Sequence, residues 1–198
     1  VNPFKGFQPL ADPWQAKWLR YAVTHKSLSE ACNAIHIMAF DWFKHTQARN
    51  LILVGRTGCG KTVLGERLIE WARAVAVTSY DRAYWPSPPA VGFIRWQDIA
   101  DQLELGKQSM EETVSQAAAE TLLVIDDIGA DSDRFKSGKS TDALAYLLTR
   151  RQGRGFTMIT TNIAPPVWKS RWDARVEDRL LRNSTVVDMS ECPSWAKL

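Results

Sequence analysis

The chain has 198 residues, enough for one domain with a sizeable core, or for one domain and a short helical lead-in. Its composition, 45% hydrophobic and 24% charged with a formal net charge of +3, excludes a low-complexity or fibrous chain. The apolar runs are too short for a membrane span and no secretory leader pattern opens the chain. Residues 1–12 mix Pro and Gly without a period and read as an extended lead-in. Apolar residues at helical spacing follow: Trp14, Trp18, Tyr21 and Ala22 over 14–25, then Leu28, Ala31, Ile35, Met38 and Trp42 over 28–45. Asp12 before Pro13 supplies a helix start.

A β-α-β rhythm then sets in. The short apolar run Asn50–Val54 predicts a buried parallel strand, and Lys61 to about Val75 a helix with Leu64, Leu68, Ala72 and Val75 on one face. Residues 78–90, rich in Pro, Tyr and Trp, read as a loop. Val91–Arg95 reads as a strand, Trp96–Leu105 and Ser109–Glu120 as helices, and Thr121–Ile125 as a third strand. A polar loop over 129–140 precedes a helix at Thr141–Gln152, closed by Gly153 and Gly155. Phe156–Thr160 is a fourth strand, Val176–Leu181 a short helix and Thr185–Asp188 a fifth strand. Strands alternating with helices imply an α/β fold with a central parallel five-stranded sheet covered on both faces. The expected organisation is a helical preface at 1–48 and a core at 49–198.

Cys32, Cys59 and Cys192 form no C-x-x-C pair and are odd in number, which argues against a disulfide framework and fits a reducing, cytoplasmic setting. The histidines His25, His36 and His45 have no ligand-like partners nearby in sequence. Charge is unevenly spread. Between Arg134 and Arg182 there are 11 Lys and Arg against 4 Asp and Glu, so this half is basic and the remainder acidic. Such a half suits contact with nucleic-acid phosphates, or is only a solvated face.

Gly55-Arg56-Thr57-Gly58-Cys59-Gly60-Lys61-Thr62 fits the phosphate-loop pattern G-x-x-x-x-G-K-[ST], with an apolar strand before it and an amphipathic helix after it. Glycines let the backbone curl so that successive N–H groups face phosphate oxygens, and the helix N-terminus adds positive potential. Lys61 then reaches the β- and γ-phosphates of ATP, and Thr62 offers its hydroxyl to Mg²⁺. The apolar run Leu122–Ile125 ends in Asp126 and Asp127, a Walker B pattern. Asp126 is the expected magnesium carboxylate, and Asp127 is expected to polarise the attacking water. The competing reading is a pair of acids facing solvent or capping a turn. Thr160-Thr161-Asn162 ends a later apolar strand, and beside the Walker B strand Asn162 could hold that water or the γ-phosphate. On its own such a tripeptide more often marks a turn.

Together these elements resemble the AAA+ ATPases, and within them the DnaC/IstB-like branch of helicase loaders and transposition-helper ATPases. The resemblance rests on GRTGCGKT at 55–62, LLVIDDIG at 122–129, ITTN at 159–162 and RVEDRLLRNSTVVDMS at 175–190, and covers about 50–195. It implies that Asn162 is the sensor-1 residue and Arg179 the arginine finger reaching a neighbour's nucleotide, with Arg175 one turn before it. Salt bridges to Asp173, Glu177 or Asp178 are the plainer explanation of those arginines. Where the family commonly shows Ser-aromatic-Arg after the last strand, this chain has Ser194-Trp195-Ala196-Lys197. Alanine stands at the arginine's place, so either Lys197 substitutes for it or this contact is missing, and the sensor-2 role stays unassigned.

The resemblance implies an ATPase that self-associates on ATP, acts on DNA, and has a replicative helicase or a transposase as client. Trp85 and Trp168 could stack on single-stranded bases, although aromatics of this kind more often pack in a core or interface. A small-molecule P-loop kinase and a nucleotide-gated module with little turnover are the alternatives. The paired acids and the Thr-Thr-Asn run argue against the kinase.

Overall fold

The computed structural model describes residues 25–44, 48–78, 89–106, 109–130 and 138–194. The expected helix over 14–25, Trp85, and the run Trp195–Lys197 lie outside the described residues, apart from His25. Five strands form one sheet: β1 (Asn50–Val54), β2 (Val91–Arg95), β3 (Leu122–Ile128), β4 (Phe156–Thr161) and β5 (Ser184–Asp188). Their order is β2-β3-β4-β1-β5 and every pairing is parallel. Between them run α1 (Lys26–Phe43), α2 (Lys61–Thr78), α3 (Trp96–Glu104), α4 (Met110–Ala119), α5 (Lys139–Arg151), α6 (Trp168–Arg171) and α7 (Ala174–Leu181). A 3₁₀ turn at Pro165–Val167 leads into α6. Among the described residues, no helix is long and apolar enough to cross a membrane.

The three layers follow from the alternation of side chains along each strand. Leu51, Leu53, Leu122, Val124, Phe156 and Met158 face one way and pack with α1 and α2. Ile52, Val54, Leu123, Ile125 and Ile159 face the other way and pack with α3, α4, α5 and α7. β1, β3 and β4 are thus buried on both faces, which is why they read as nearly continuous apolar runs. Helix α1 belongs to the same packing: Trp42 is 1% exposed, meets Trp71 of α2 edge-on at 5.9 Å and donates its indole N–H to Thr121.

One charged side chain is part of the core. Arg151, at the end of α5, is 2% exposed. It donates to the Ala117, Ala118 and Glu120 carbonyls at the end of α4, and to Thr157 Oγ1 and the Phe156 carbonyl on β4. Burial pushes its pKa down to about 10 despite the nearby Glu120 carboxylate. The guanidinium fork ties two helix ends to the start of β4, and β4 carries part of the site at its other end.

Trp168 does not serve as a stacking surface. It is fully buried, its indole N–H donates to the Ile163 carbonyl at 2.7 Å, and its ring lies 6.3 Å from that of Trp172.

Candidate nucleotide site at the carboxyl ends of the strands

The parallel order places the carboxyl ends of β1, β3 and β4 side by side, the edge of an open α/β sheet where ligands bind. Residues 55–60 link β1 to the first turn of α2. Within this loop Gly58 has φ +83° and Gly60 φ +96°, the left-handed region that a side chain disfavours. A Cβ at Gly58 would also lie 2.5 Å from Ser194 Oγ, so the loop tip and the segment after β5 touch closely. Arg56 donates to the Cys192 carbonyl, and buried Cys59 packs beneath the loop. Thr57 is exposed at the loop surface.

Lys61 opens α2 and is only 6% exposed. Its ammonium donates to the Gly55 carbonyl at 2.7 Å, the Arg56 carbonyl at 3.0 Å and Asn162 Oδ1 at 2.8 Å. No carboxylate is among these partners, so the positive charge at the loop is left for an anion to neutralise. A Cβ on Gly65, one turn on, would lie 2.8 Å from Val124 Cγ1; glycine lets α2 settle close against β3.

Asp126 is 4% exposed. Thr62 Oγ1 lies 3.1 and 3.0 Å from its two carboxylate oxygens, and Thr160 Oγ1 donates to Oδ1 at 2.7 Å. Hydroxyl and carboxylate are hard oxygen donors of the kind magnesium prefers. Their spacing matches the edge of an octahedron with 2.0–2.1 Å metal–oxygen bonds, roughly 2.9 Å. The residues present therefore fit Mg²⁺, which Thr62 and Asp126 would hold.

Asp127 is placed differently from its neighbour. Along β3 and β4 the register runs Ile125 to Ile159 and then Ile128 to Thr161, so Asp126 and Asp127 together face Thr160. This is a β-bulge, with Asp127 at φ +58°. Its backbone N–H leaves the ladder and donates to Thr160 Oγ1 at 2.8 Å. Its Oδ1 accepts from Asn162 Nδ2 at 3.0 Å. One amide thus joins the phosphate loop to the acidic strand: Asn162 accepts from the Lys61 ammonium and donates to the Asp127 carboxylate, which fixes its orientation.

The two arginines stand apart from this cluster. Asp173 caps α7 by accepting from the Val176 N–H. Val176 and Leu180 bury one face of α7, and Arg175 and Arg179 lie away from it. Arg175 pairs with Asp173 at 2.6 Å and with Asp142 of α5 at 2.8 Å. Arg179 donates to the Arg175 carbonyl and to Thr149 Oγ1. These partners all lie outside the phosphate loop of their own chain. Sequence reasoning missed Thr160 and Arg151. The first carries no sequence signal beyond its place in the Thr-Thr-Asn run, and the second none beyond its place in the basic half.

The chain is similar to known proteins along nearly its whole length. The model of the IstB-like ATP binding protein family matches residues 22–192. No curated protein sequence matches significantly. Among solved structures, the DnaC helicase loader superposes with a TM-score of 0.61 at 18% identity, covering 83% of this chain and 90% of that one. DnaI gives 0.62 at 17% identity, covering 83% and 85%. AMPPCP-bound DnaA from Aquifex aeolicus gives 0.58 at 15% identity, covering 82% of this chain and 45% of that one. At these identities the likeness establishes the fold, a P-loop AAA+ core. The family match, which spans the phosphate loop, the acidic strand and the bridging asparagine alike, makes the chain a member of the IstB-like ATP-binding family, within the DnaC/IstB-like AAA+ proteins.

Proposed function

We propose that this protein binds Mg·ATP at Gly55–Thr62, hydrolyses it where two copies meet, and uses the cycle to load a replicative helicase onto DNA. The observation that carries the catalytic half is the continuous set of contacts Lys61–Asn162–Asp127 beside Thr62–Asp126–Thr160. It aligns a cation for phosphate, a hydroxyl–carboxylate pair for metal and a second carboxylate for water within one cluster.

In this reading the loop amides and Lys61 hold the β- and γ-phosphates. Bound Mg²⁺ would neutralise charge on the phosphate oxygens. Asn162 and Asp127 orient a water against the γ-phosphorus. As its oxygen bonds to phosphorus, the bond to the bridging oxygen breaks and that electron pair stays on ADP. Asp127, half-buried and with Oδ1 accepting from Asn162, is placed to take the water's proton. Arg179 is the proposed finger, acting on the nucleotide of a second copy, with Arg175 beside it; within one chain neither reaches the site. The basic stretch 134–182 is the proposed contact for DNA phosphates.

Support for the client comes from the fold likeness, over 83% of this chain, to a protein named a helicase loader. A second reading, carried by the same sequence resemblance to transposition-helper ATPases, keeps the machine and makes the client a transposase. Pulldown of purified replicative helicase, with ATP and with ADP, separates the two. Retention dependent on ATP supports loading. No retention with either nucleotide, together with retention of a transposase, moves the protein to the second reading. Sedimentation without any ATP-dependent self-association contradicts both.

A further inference from the structure

We propose that Thr160 is a positioning residue of the hydrolytic centre, acting through both acids of the Walker B strand. The inference rests on the reading of this cluster as a Mg·ATP hydrolysis site. Thr160 is completely buried, and its hydroxyl has one proton to donate and lone pairs to accept with. The proton goes to Asp126 Oδ1 at 2.7 Å and a lone pair takes the Asp127 N–H at 2.8 Å. Each bond does a separate job. The first fixes the Asp126 carboxylate in its orientation toward Thr62, whose hydroxyl lies 3.0 and 3.1 Å away.

The second bond satisfies the amide that the bulge removes from the ladder, and so supports the left-handed conformation of Asp127 at φ +58°. Without that acceptor the half-buried N–H loses this bond, and the strand gains by closing the bulge. Side chains alternate along a strand, so a one-residue slip would turn the Asp127 carboxylate away from Asn162. The Thr160 hydroxyl bonds to the two acids, whereas Lys61 bonds to the phosphate loop and Asn162, so the phosphate grip stands apart from that hydroxyl. The predicted signature is a split: metal-dependent steps suffer and metal-free nucleotide binding does not.

Thr160→Val keeps the shape and removes the hydroxyl; Thr160→Ser keeps the hydroxyl. Three readouts apply: steady-state ATP turnover, affinity for a fluorescent ATP analogue in EDTA, and Mn²⁺ affinity of the complex with a non-hydrolysable analogue by EPR. For Thr160→Val we expect turnover and Mn²⁺ affinity to fall about 10- to 100-fold, as for other groups that orient metal ligands, with EDTA affinity within twofold of wild type. Thr160→Ser should return both to within about threefold. The proposal is overturned if folded Thr160→Val matches wild type in Mn²⁺ affinity, if EDTA affinity falls as far as turnover, or if Thr160→Ser behaves like Thr160→Val. If wild-type protein shows no turnover, the functional reading fails, and the Mn²⁺ titration still decides the role of Thr160.

Discussion

Asn162→Ala removes two hydrogen bonds at once, one of 2.8 Å from Lys61 Nζ and one of 3.0 Å to Asp127 Oδ1. Bonds to charged groups contribute about 1.5–3 kcal/mol each. The contact to Lys61 also holds in the resting site, so its loss cancels partly between ground and transition states. The contact to Asp127 sits at a solvent-accessible position, which favours the low end of the range. The net loss expected in the transition state is about 1.5–3 kcal/mol, or roughly 10- to 150-fold in rate. Single-turnover hydrolysis of γ-labelled ATP reports the chemical step, and titration with a fluorescent analogue reports affinity, expected to change less than threefold. Asn162→Asp should be slower still, because it keeps an acceptor for Lys61 but sets a second carboxylate against Asp127. A rate for Asn162→Ala within threefold of wild type, or an affinity loss as large as the rate loss, would refute the reasoning.

Arg151→Met should destabilise the protein by about 3 kcal/mol, since it takes the charged donor from the Ala117 and Glu120 carbonyls at about 1–2 kcal/mol each, with Glu120 partly reached by water. A melting temperature lowered by about 6–12 °C is expected, and one within 2 °C of wild type would show that the fork contributes little. Gly58→Ala puts a side chain at φ +83° and should cost about 1–2 kcal/mol and weaken ATP binding. Adding Ser194→Gly relieves the 2.5 Å approach but not the backbone strain, so denaturant titration should show less than half the loss recovered. Arg179→Ala and Lys61→Ala should each be inactive alone, whereas a mixture should regain turnover, one copy supplying the finger and the other the cradle. A mixture as inactive as its components contradicts a finger acting between copies.

The elements most legible in the sequence are those whose cause is local. β1, β3 and β4 are buried on both faces and therefore read as apolar runs, and the phosphate loop announces itself through the residue types that its curled backbone requires. β5 is an edge strand with Thr185, Val186 and Asp188 exposed, and its valines alone signalled it. Long-range causes left no such trace. The sequence places the end of the third strand at Ile125, whereas β3 runs on to Ile128 through a bulge held by a hydroxyl 33 residues away. The insertion of β1 between β4 and β5 follows from crossover packing and not from any local pattern. Arg151 reads as one more surface cation, because nothing near it in sequence tells that four carbonyls and a threonine from two other elements close around it. Asn162 was legible as a candidate, but its tie to both Lys61 and Asp127 needed the β3–β4 pairing to be seen.

Calorimetric titration of ATP into the purified protein, with and without Mg²⁺, and repeated on Lys61→Ala, bears most directly on the site. Saturable binding strengthened by Mg²⁺ in the wild type, and weakened at least tenfold by Lys61→Ala in a protein that still melts cooperatively, is the predicted result. Binding indifferent to magnesium, or undiminished when the ammonium is gone, would mean that residues 55–62 and Asp126 do not form the nucleotide site.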